Sequence, residues 1–272
     1  MASKKSQVIE EIFKICVKRK NFEFHNDLVK DVSKKFGFGN PFDATKLDNK
    51  SKLPEILHKN DYAIIHLGNG KHKFIKGINK VYHEFEPIQE QIDWKYKKSL
   101  LNMYNTSESN VLSVANNQRI LHHFLFGKDT ELDDVDILKR PKTYFPHRTK
   151  TTFEYYFGKN TKMELINIQI EVDLTIEFQG TIGVFEGKNG KQDSFNIYQI
   201  FHPFLYYHNA NKEKDLRGKI KNIICVYVVR EKGKKHDTLK LWAYTFINPL
   251  DITTIKLIKS AEYKLIEAGW KC

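Results

Sequence analysis

The chain is short of cysteine, of long apolar runs and of repeats, and each shortage closes off a class of protein. Its three cysteines, Cys16, Cys225 and Cys272, are scattered through 272 residues. An odd number with no paired metal spacing argues against a disulfide framework and fits a reducing compartment. The longest clean apolar run, residues 223–229, is far too short to span a bilayer and is β-branched enough to form a buried strand. Residues 1–7 are polar and lysine-bearing with no apolar stretch behind them, which is not the pattern of a secretory signal. A soluble cytoplasmic protein, without membrane contact, is expected. His25, His58, His66 and His72 do not fall at metal-ligand spacing. No internal repeat or low-complexity tract is present.

What the chain does have is material for a core. It is 40% hydrophobic and 13% aromatic, which suits a globular fold of one large domain or two modest ones. It carries 45 basic against 33 acidic residues, a net charge of +12. Such a surface gains affinity for a polyanion by releasing phosphate counterions, but charge alone does not separate this from solvated lysine faces.

In chain order, residues 5–18 carry apolar side chains at helical spacing, and a second helix, capped by Asn26, runs to a stop at Gly37. A third helical piece is expected between residues 43 and 58. Two strands, 62–67 and 71–76, flank Gly68-Asn69-Gly70, a strong hairpin turn. Three short helices and a hairpin form the order of a winged-helix module. The basic arm with Lys71 and Lys73 would then be a phosphate-contacting wing, although a helical scaffold has the same order of elements. A domain boundary is placed near Glu86, giving modules of residues 1–86 and 87–272.

Residues 88–104 read as a helix through Ile92, Tyr96, Leu100 and Met103, and a fresh helix, capped by Ser107 with Glu108 in its first turn, continues to Gly127. An acidic loop at 129–136 precedes a basic segment at 139–150, where His147, Arg148 and Lys150 could line a nucleic-acid groove or solvate an edge strand.

The centre of the chain lies beyond that segment. From Ile166 to Phe178 every even position is apolar and the odd ones carry Asn167, Gln169, Glu171, Asp173, Thr175 and Glu177. This is strand alternation with acids gathered on one face. After Gln179-Gly180 a second strand puts Glu186 and Lys188 two residues apart, on one side. A turn at Asn189-Gly190-Lys191 adds polar groups beside them, and a helix capped by Asp193 or Ser194 follows, which Pro203 should kink or break. Two more strands, 220–229 and 238–247, come next. The tail, 249–269, is either a strand pair or a strand and a helix.

Phosphodiester hydrolysis needs an activated water and neutralisation of growing charge, and Mg²⁺ held by one or two carboxylates can supply both. Asp173 and Glu186 are the candidate ligands, and Lys188 would orient or help deprotonate the attacking water and offset negative charge. Glu171 and Glu177 share the polar face, so which acid is the ligand stays open. A surface hairpin bearing solvated acids has the same pattern.

At Val172-Asp173, then Val184-Phe185-Glu186-Gly187-Lys188, followed by Asn196, Tyr198 and Gln199, the chain resembles the PD-(D/E)xK nuclease superfamily, above all its type II restriction endonucleases. The resemblance covers about residues 100–270, on a short motif in which Val172 stands where the family name has proline. It implies a central mixed β-sheet flanked by helices, an α/β (α+β) fold. It also implies metal binding by Asp173 and Glu186, with Mg²⁺ replaceable by Mn²⁺, and a catalytic lysine at Lys188. Glu108 and Gln199 would be accessory catalytic residues on the helices before and after. Lys71, Lys73, His147, Arg148, Lys150, Asn189 and Lys191 are the candidate contacts to double-stranded DNA. A homodimer would let two such sites cut both strands. A non-catalytic DNA-binding regulator is the rival expectation, and a nuclease of modified or branched DNA a third.

Overall fold

In the computed structural model, residues 3–97, 108–127 and 140–267 are described, the side chains of Glu108 and Ser109 excepted. The expected cap Ser107, the acidic loop 129–136 and Lys139 lie outside the described residues. The chain is a mixed α/β fold in which helices cover both faces of a large mixed sheet.

Helix α1 (Lys4–Arg19) buries Val8, Ile9, Ile12, Phe13 and Cys16, the helical stripe read from sequence. Strand β1 (Glu23–His25) leads into α2 (Asn26–Lys35), which is capped by the His25 side chain and not by Asn26. Asn26 instead bonds His72 at 2.8 Å, a tertiary use invisible to local patterning. The third helical piece is broken into α3 (Pro41–Ala44), a 3₁₀ turn (Lys50–Lys52) and α4 (Glu55–Asn60). Strands β2 (Tyr62–Gly68) and β3 (Lys71–Lys76) form the expected hairpin, and β1 completes a three-stranded sheet in the order β1-β3-β2.

A short helix α5 (Ile78–Val81) and strand β4 (Tyr82–Glu84) carry the chain into the second part. The helix expected over 88–104 is not formed where the chain is described. Residues Glu90–Tyr96 are strand β5, parallel to the last strand. Ile92, Trp94 and Tyr96 all pack on one core, and their even spacing satisfies a strand as readily as the four-residue spacing of Ile92 and Tyr96 suggested a helix. The next helix is interrupted: α6 (Glu108–Asn117) and α7 (Ile120–Phe126) meet at Arg119, whose φ of 63° is left-handed.

Strands β6 (Lys142–Tyr144), β7 (His147–Tyr156) and β8 (Lys162–Val172) follow. The single strand expected over 166–178 is divided at Asp173. Among the described residues strand β8 pairs with β7 alone, whereas β9 (Leu174–Phe178) joins the large sheet. Nor does one phase of alternation hold along β8, where Met163 and Leu165 are buried at odd positions and Ile168, Ile170 and Val172 at even ones. A bulge at Ile166-Asn167, opposite Thr152, makes the switch, and Asn167 takes φ 55°. Ile166 is left 45% exposed, so it is not the first core residue its pattern suggested.

Strand β10 (Thr181–Asn189) returns from a turn whose residues Gln179 and Gly180 both have positive φ, the geometry that a two-residue hairpin demands. A short strand β11 (Ser194–Asn196) pairs with β4, so Asp193 and Ser194 do not cap the helix that follows. That helix, α8 (Tyr198–Ala210), begins after Ile197, with Asn196 Oδ1 accepting the Tyr198 N–H at 3.3 Å. It runs through Pro203 without a break. Strands β12 (Asn222–Glu231) and β13 (Thr238–Phe246) match expectation, and the tail resolves into one long strand, β14 (Ile255–Glu267).

Among the described residues the large sheet has seven strands in the order β5-β14-β13-β12-β10-β9-β6, with β10/β12 and β14/β5 parallel and the other pairs antiparallel. Strand β12 is apolar on both faces because both are covered. Val226 and Val228 meet α6 and α7, while Cys225, Tyr227 and Val229 share a core with α8 and the N-terminal helices. That shared core ties the two parts together, and the Lys50 N–H adds a hydrogen bond to Ser194 Oγ at 3.1 Å. Among the described residues no helix is long and apolar enough to cross a membrane.

Candidate functional site

The break at Asp173 is what opens the site. Strand β9 pairs with β10 only from Thr181 to Phe185, the last rung joining Leu174 to Phe185. One residue further the chain bends away into β8, so beyond Phe185 that edge of β10 has no strand partner among the described residues. Asp173 sits at the bend, and its Oδ2 accepts the Gly187 N–H at 3.1 Å in place of a ladder carbonyl. On the other edge β10 remains paired with β12 as far as Asn189, which holds the strand rigid while its side chains face a cleft.

Glu186 and Lys188 alternate onto that cleft. Lys188 Nζ lies 2.9 Å from Glu186 Oε1, with the two side chains 18% and 14% exposed. The same oxygen accepts from Gln199 Nε2 at 3.1 Å, so α8 fixes the carboxylate from the opposite wall. A half-buried pair of this kind is held by geometry and by its extra hydrogen bond, since desolvation cancels much of the Coulomb gain. The cavity, about 310 Å³, is lined by Gln169, Glu171, Asp173, Glu186, Lys188 and Gln199, among others. Four candidates from residues 173–199, Asp173, Glu186, Lys188 and Gln199, are thus brought together.

The remaining candidates divide. Arg148 and Lys150 lie directly across from Glu171 and Gln169 in the β7–β8 ladder, hence on the cleft side, and Arg148 donates to Glu171 at 2.7 Å. His147 is opposite buried Val172 and turns to the other face, 6.3 Å from the Tyr206 ring. Asn189 and exposed Lys191 continue past Lys188 at the end of β10. Lys71 and Lys73 are elsewhere, in a cavity with Glu23, Lys162 and Glu164, and Lys73 bonds Glu23 at 2.9 Å. Glu108 starts α6, but its side chain lies outside the described residues. Of the two competing acids, Glu171 lines the cleft. Glu177 stands at the far end of β9, opposite Ile182 and 3.8 Å from Lys142.

Sequence reasoning missed a second chamber. A cavity of about 640 Å³ adjoins the cleft and shares Gln169, Glu171, Lys188, Tyr198, Gln199 and His202 with it. Its far wall comes from the N-terminal part, through Asn26, Phe42, Asp48, His66 and His72. His66 Nδ1 and His72 Nδ1 are 2.8 Å apart. With His72 Nε2 donating to Asn26 Oδ1, the His72 Nδ1 is an acceptor and His66 carries the shared proton. Burial holds both rings neutral, His66 down to about 4 and His72 to about 3, and does the same for His202, at about 3. Burial, with Asp48 nearby, pushes the Tyr198 hydroxyl upward. The only early signal was that Tyr198 and His202 share a helix with Gln199; their convergence with residues 26–72 depends on domain packing.

The donor set suits a small hard cation. Two carboxylates meet the preference of Mg²⁺ for one or two acids with waters completing the shell. Gln199 Oε1 is buried without a hydrogen-bond partner among the described residues, a further oxygen beside Glu186. No group of three or more His, Cys, Asp or Glu able to hold a metal occurs among the described residues, so any such ion would rest on these few ligands and on water.

Fold and cleft together define a mixed α/β protein with a carboxylate–lysine site at a strand break. Residues 77–264 match the domain family described as a domain of unknown function, DUF6997, and the chain belongs to that family. Residues 6–74 match a second, DUF6996. No curated protein matches the chain, and no solved structure does.

Proposed function

We propose that this protein is a Mg²⁺-dependent endonuclease of double-stranded DNA, similar to type II restriction enzymes of the PD-(D/E)xK superfamily. The observation that carries this reading is the meeting of Asp173, Glu186 and Lys188 in one cleft, on a strand held from behind by β12. Asp173 and Glu186 would hold the metal, whose chemistry when bound is to polarise the phosphate and acidify a water.

The chain's own groups account for the rest. Gln199 and the Gly187 N–H fix the two carboxylates. Lys188, poised beside Glu186, is placed to orient the attacking water and to balance charge growing on the phosphate. Arg148 and Lys150 on the cleft side of β7 offer cations to the flanking backbone. The order α1-β1-α2 with a following hairpin supports a winged-helix-like N-terminal module. Its hairpin tip, however, is packed on β8, so we read that module as a wall of the substrate channel more than as a free reader. A half-buried lysine–glutamate pair set in a cleft favours chemistry over a non-catalytic regulator.

The test is digestion of methylated and unmethylated genomic DNA side by side, with and without Mg²⁺, followed by sequencing of the ends. Fragments with defined ends that require the metal are expected. Intact DNA under every condition, with tight binding in a mobility-shift assay, would favour the regulator.

A further inference from the structure

The second chamber differs in chemistry from the cleft it joins. The cleft end is ionic, with Asp173, Glu186 and Lys188. The far end holds a hydrogen-bonded row of neutral groups, His66, His72 and Asn26, because burial keeps both rings unprotonated, and one carboxylate, Asp48. Between the ends stands Tyr198, its ring stacked on His202 at 5.6 Å and met edge-on by His66 at 6.0 Å. At the mouth Phe42 is 58% exposed, with the Lys30 ammonium over its ring, 5.8 Å away. Lys46 is exposed on the same rim.

An apolar side chain of that size standing in water at a cavity mouth, on a short helix fixed to the core through buried Ala44, is a stacking surface awaiting a flat partner. The Asn26 amide nitrogen and the Asp48 carboxylate behind it offer a donor and an acceptor to the edge of a heterocycle, and the carboxylate disfavours a second phosphate. The volume of about 640 Å³ falls within the roughly 300–1,000 Å³ of pockets that enclose small ligands, ample for one nucleotide. The six residues shared with the cleft leave the phosphate of such a nucleotide beside Lys188 and the carboxylates.

We infer that the chamber between the two modules takes one nucleobase of the substrate strand, unstacked from its neighbours, with Phe42 against its face and Asn26 and Asp48 along its edge. The assignment rests on the nuclease reading for the word substrate, but the chamber itself can be tested without it. Taking a base out of a duplex costs least where the base is unpaired, so substrates mismatched beside the cut would be favoured.

The experiment measures binding of the full chain to the four 2′-deoxynucleoside 5′-monophosphates and to deoxyribose 5-phosphate, without divalent metal, by saturation-transfer NMR. At least one nucleotide should bind tenfold or more tightly than the sugar phosphate, and Phe42→Ala, an exposed change that should leave the melting temperature in place, should reduce that preference below about threefold. Glu186→Gln should keep the preference while losing DNA cleavage. If no nucleotide binds better than deoxyribose 5-phosphate, or if Phe42→Ala leaves the preference intact, the inference is overturned even where DNA is cut. A base preference lost with Phe42→Ala in a protein that cuts no DNA would sustain the chamber and refute the nuclease reading.

Discussion

The β10 cleft and the β2–β3 hairpin both looked, as sequences, like places for a phosphate, and the fold treats them differently. In the cleft Lys188 and Glu186 are 18% and 14% exposed, gripped by Gln199 and set opposite Asp173. At the hairpin Lys73 and its partner Glu23 are 33% and 53% exposed, and the tip is packed against β8, where Asn167 reaches Asn69 at 3.2 Å. A surface lysine paired to a surface glutamate costs little to hold and says little about a partner. A lysine and two acids half-withdrawn from water cost more, and are kept where their geometry has a use.

The sharpest way to break this comparison is to neutralise each region. Asp173→Asn, Glu186→Gln and Lys188→Met should each lower single-turnover DNA cleavage at least ~100-fold, since on the proposed mechanism each would remove a metal ligand or a charge acting on the transition state. Lys71→Ala with Lys73→Ala should change it less than about threefold at moderate salt, in keeping with rim charges. Equal losses from both sets would erase the distinction drawn here.

Docking of the hairpin is tested at Gly68, which has φ +84° and lies so close to β8 that a Cβ would overlap the Ile166 carbonyl oxygen. Gly68→Ala should therefore cost about 2–4 kcal/mol, read as a lowered urea midpoint, because both strain and a backbone clash oppose it. An unchanged midpoint would mean that the tip is not seated on β8.

Acid should loosen the chamber next. His72 and His202 have native values of about 3 against an ordinary 6.5, so as pH falls below 6.5 the unfolded chain takes protons that the native fold refuses. Stability is whole above about pH 6.5 and is lost progressively toward pH 3, by up to ~1.4 kcal/mol per pH unit for each ring. Urea midpoints at pH 7 and pH 5 should differ accordingly, and His202→Gln should flatten the slope. Midpoints that coincide would show these rings to be wetter than their packing implies.

The smallest effect belongs to the exposed ion pair. Lys73→Met should shift stability by no more than about 1 kcal/mol, and less at high salt. A larger loss in thermal melts would place the hairpin pair in a role like that of the cleft.

Much of this was legible in the sequence, and the reasons for the rest are physical. The hairpin at Gly68-Asn69-Gly70, the turn at Gln179-Gly180 and the doubly buried strand β12 follow from local rules, and so does the same-side placement of Glu186 and Lys188. Misread elements were those where one pattern serves two structures, as with the even spacing of Ile92, Trp94 and Tyr96 in β5. Alternation also hid the bend at Asp173, because apolar side chains continue across it while the backbone changes sheets. That bend, which creates the cleft, and the second chamber, which needs residues some 130 positions apart, arise from tertiary packing alone.

The most direct test of the central claim compares wild-type protein with Glu186→Gln, purified identically, on supercoiled plasmid in Mg²⁺. Wild type should convert the plasmid to nicked and linear forms, and both Glu186→Gln and chelation of the metal should stop it while DNA binding persists. Equal cutting by the two proteins, or no cutting by either, would contradict the assignment of Asp173, Glu186 and Lys188 as a phosphodiester-cleaving site.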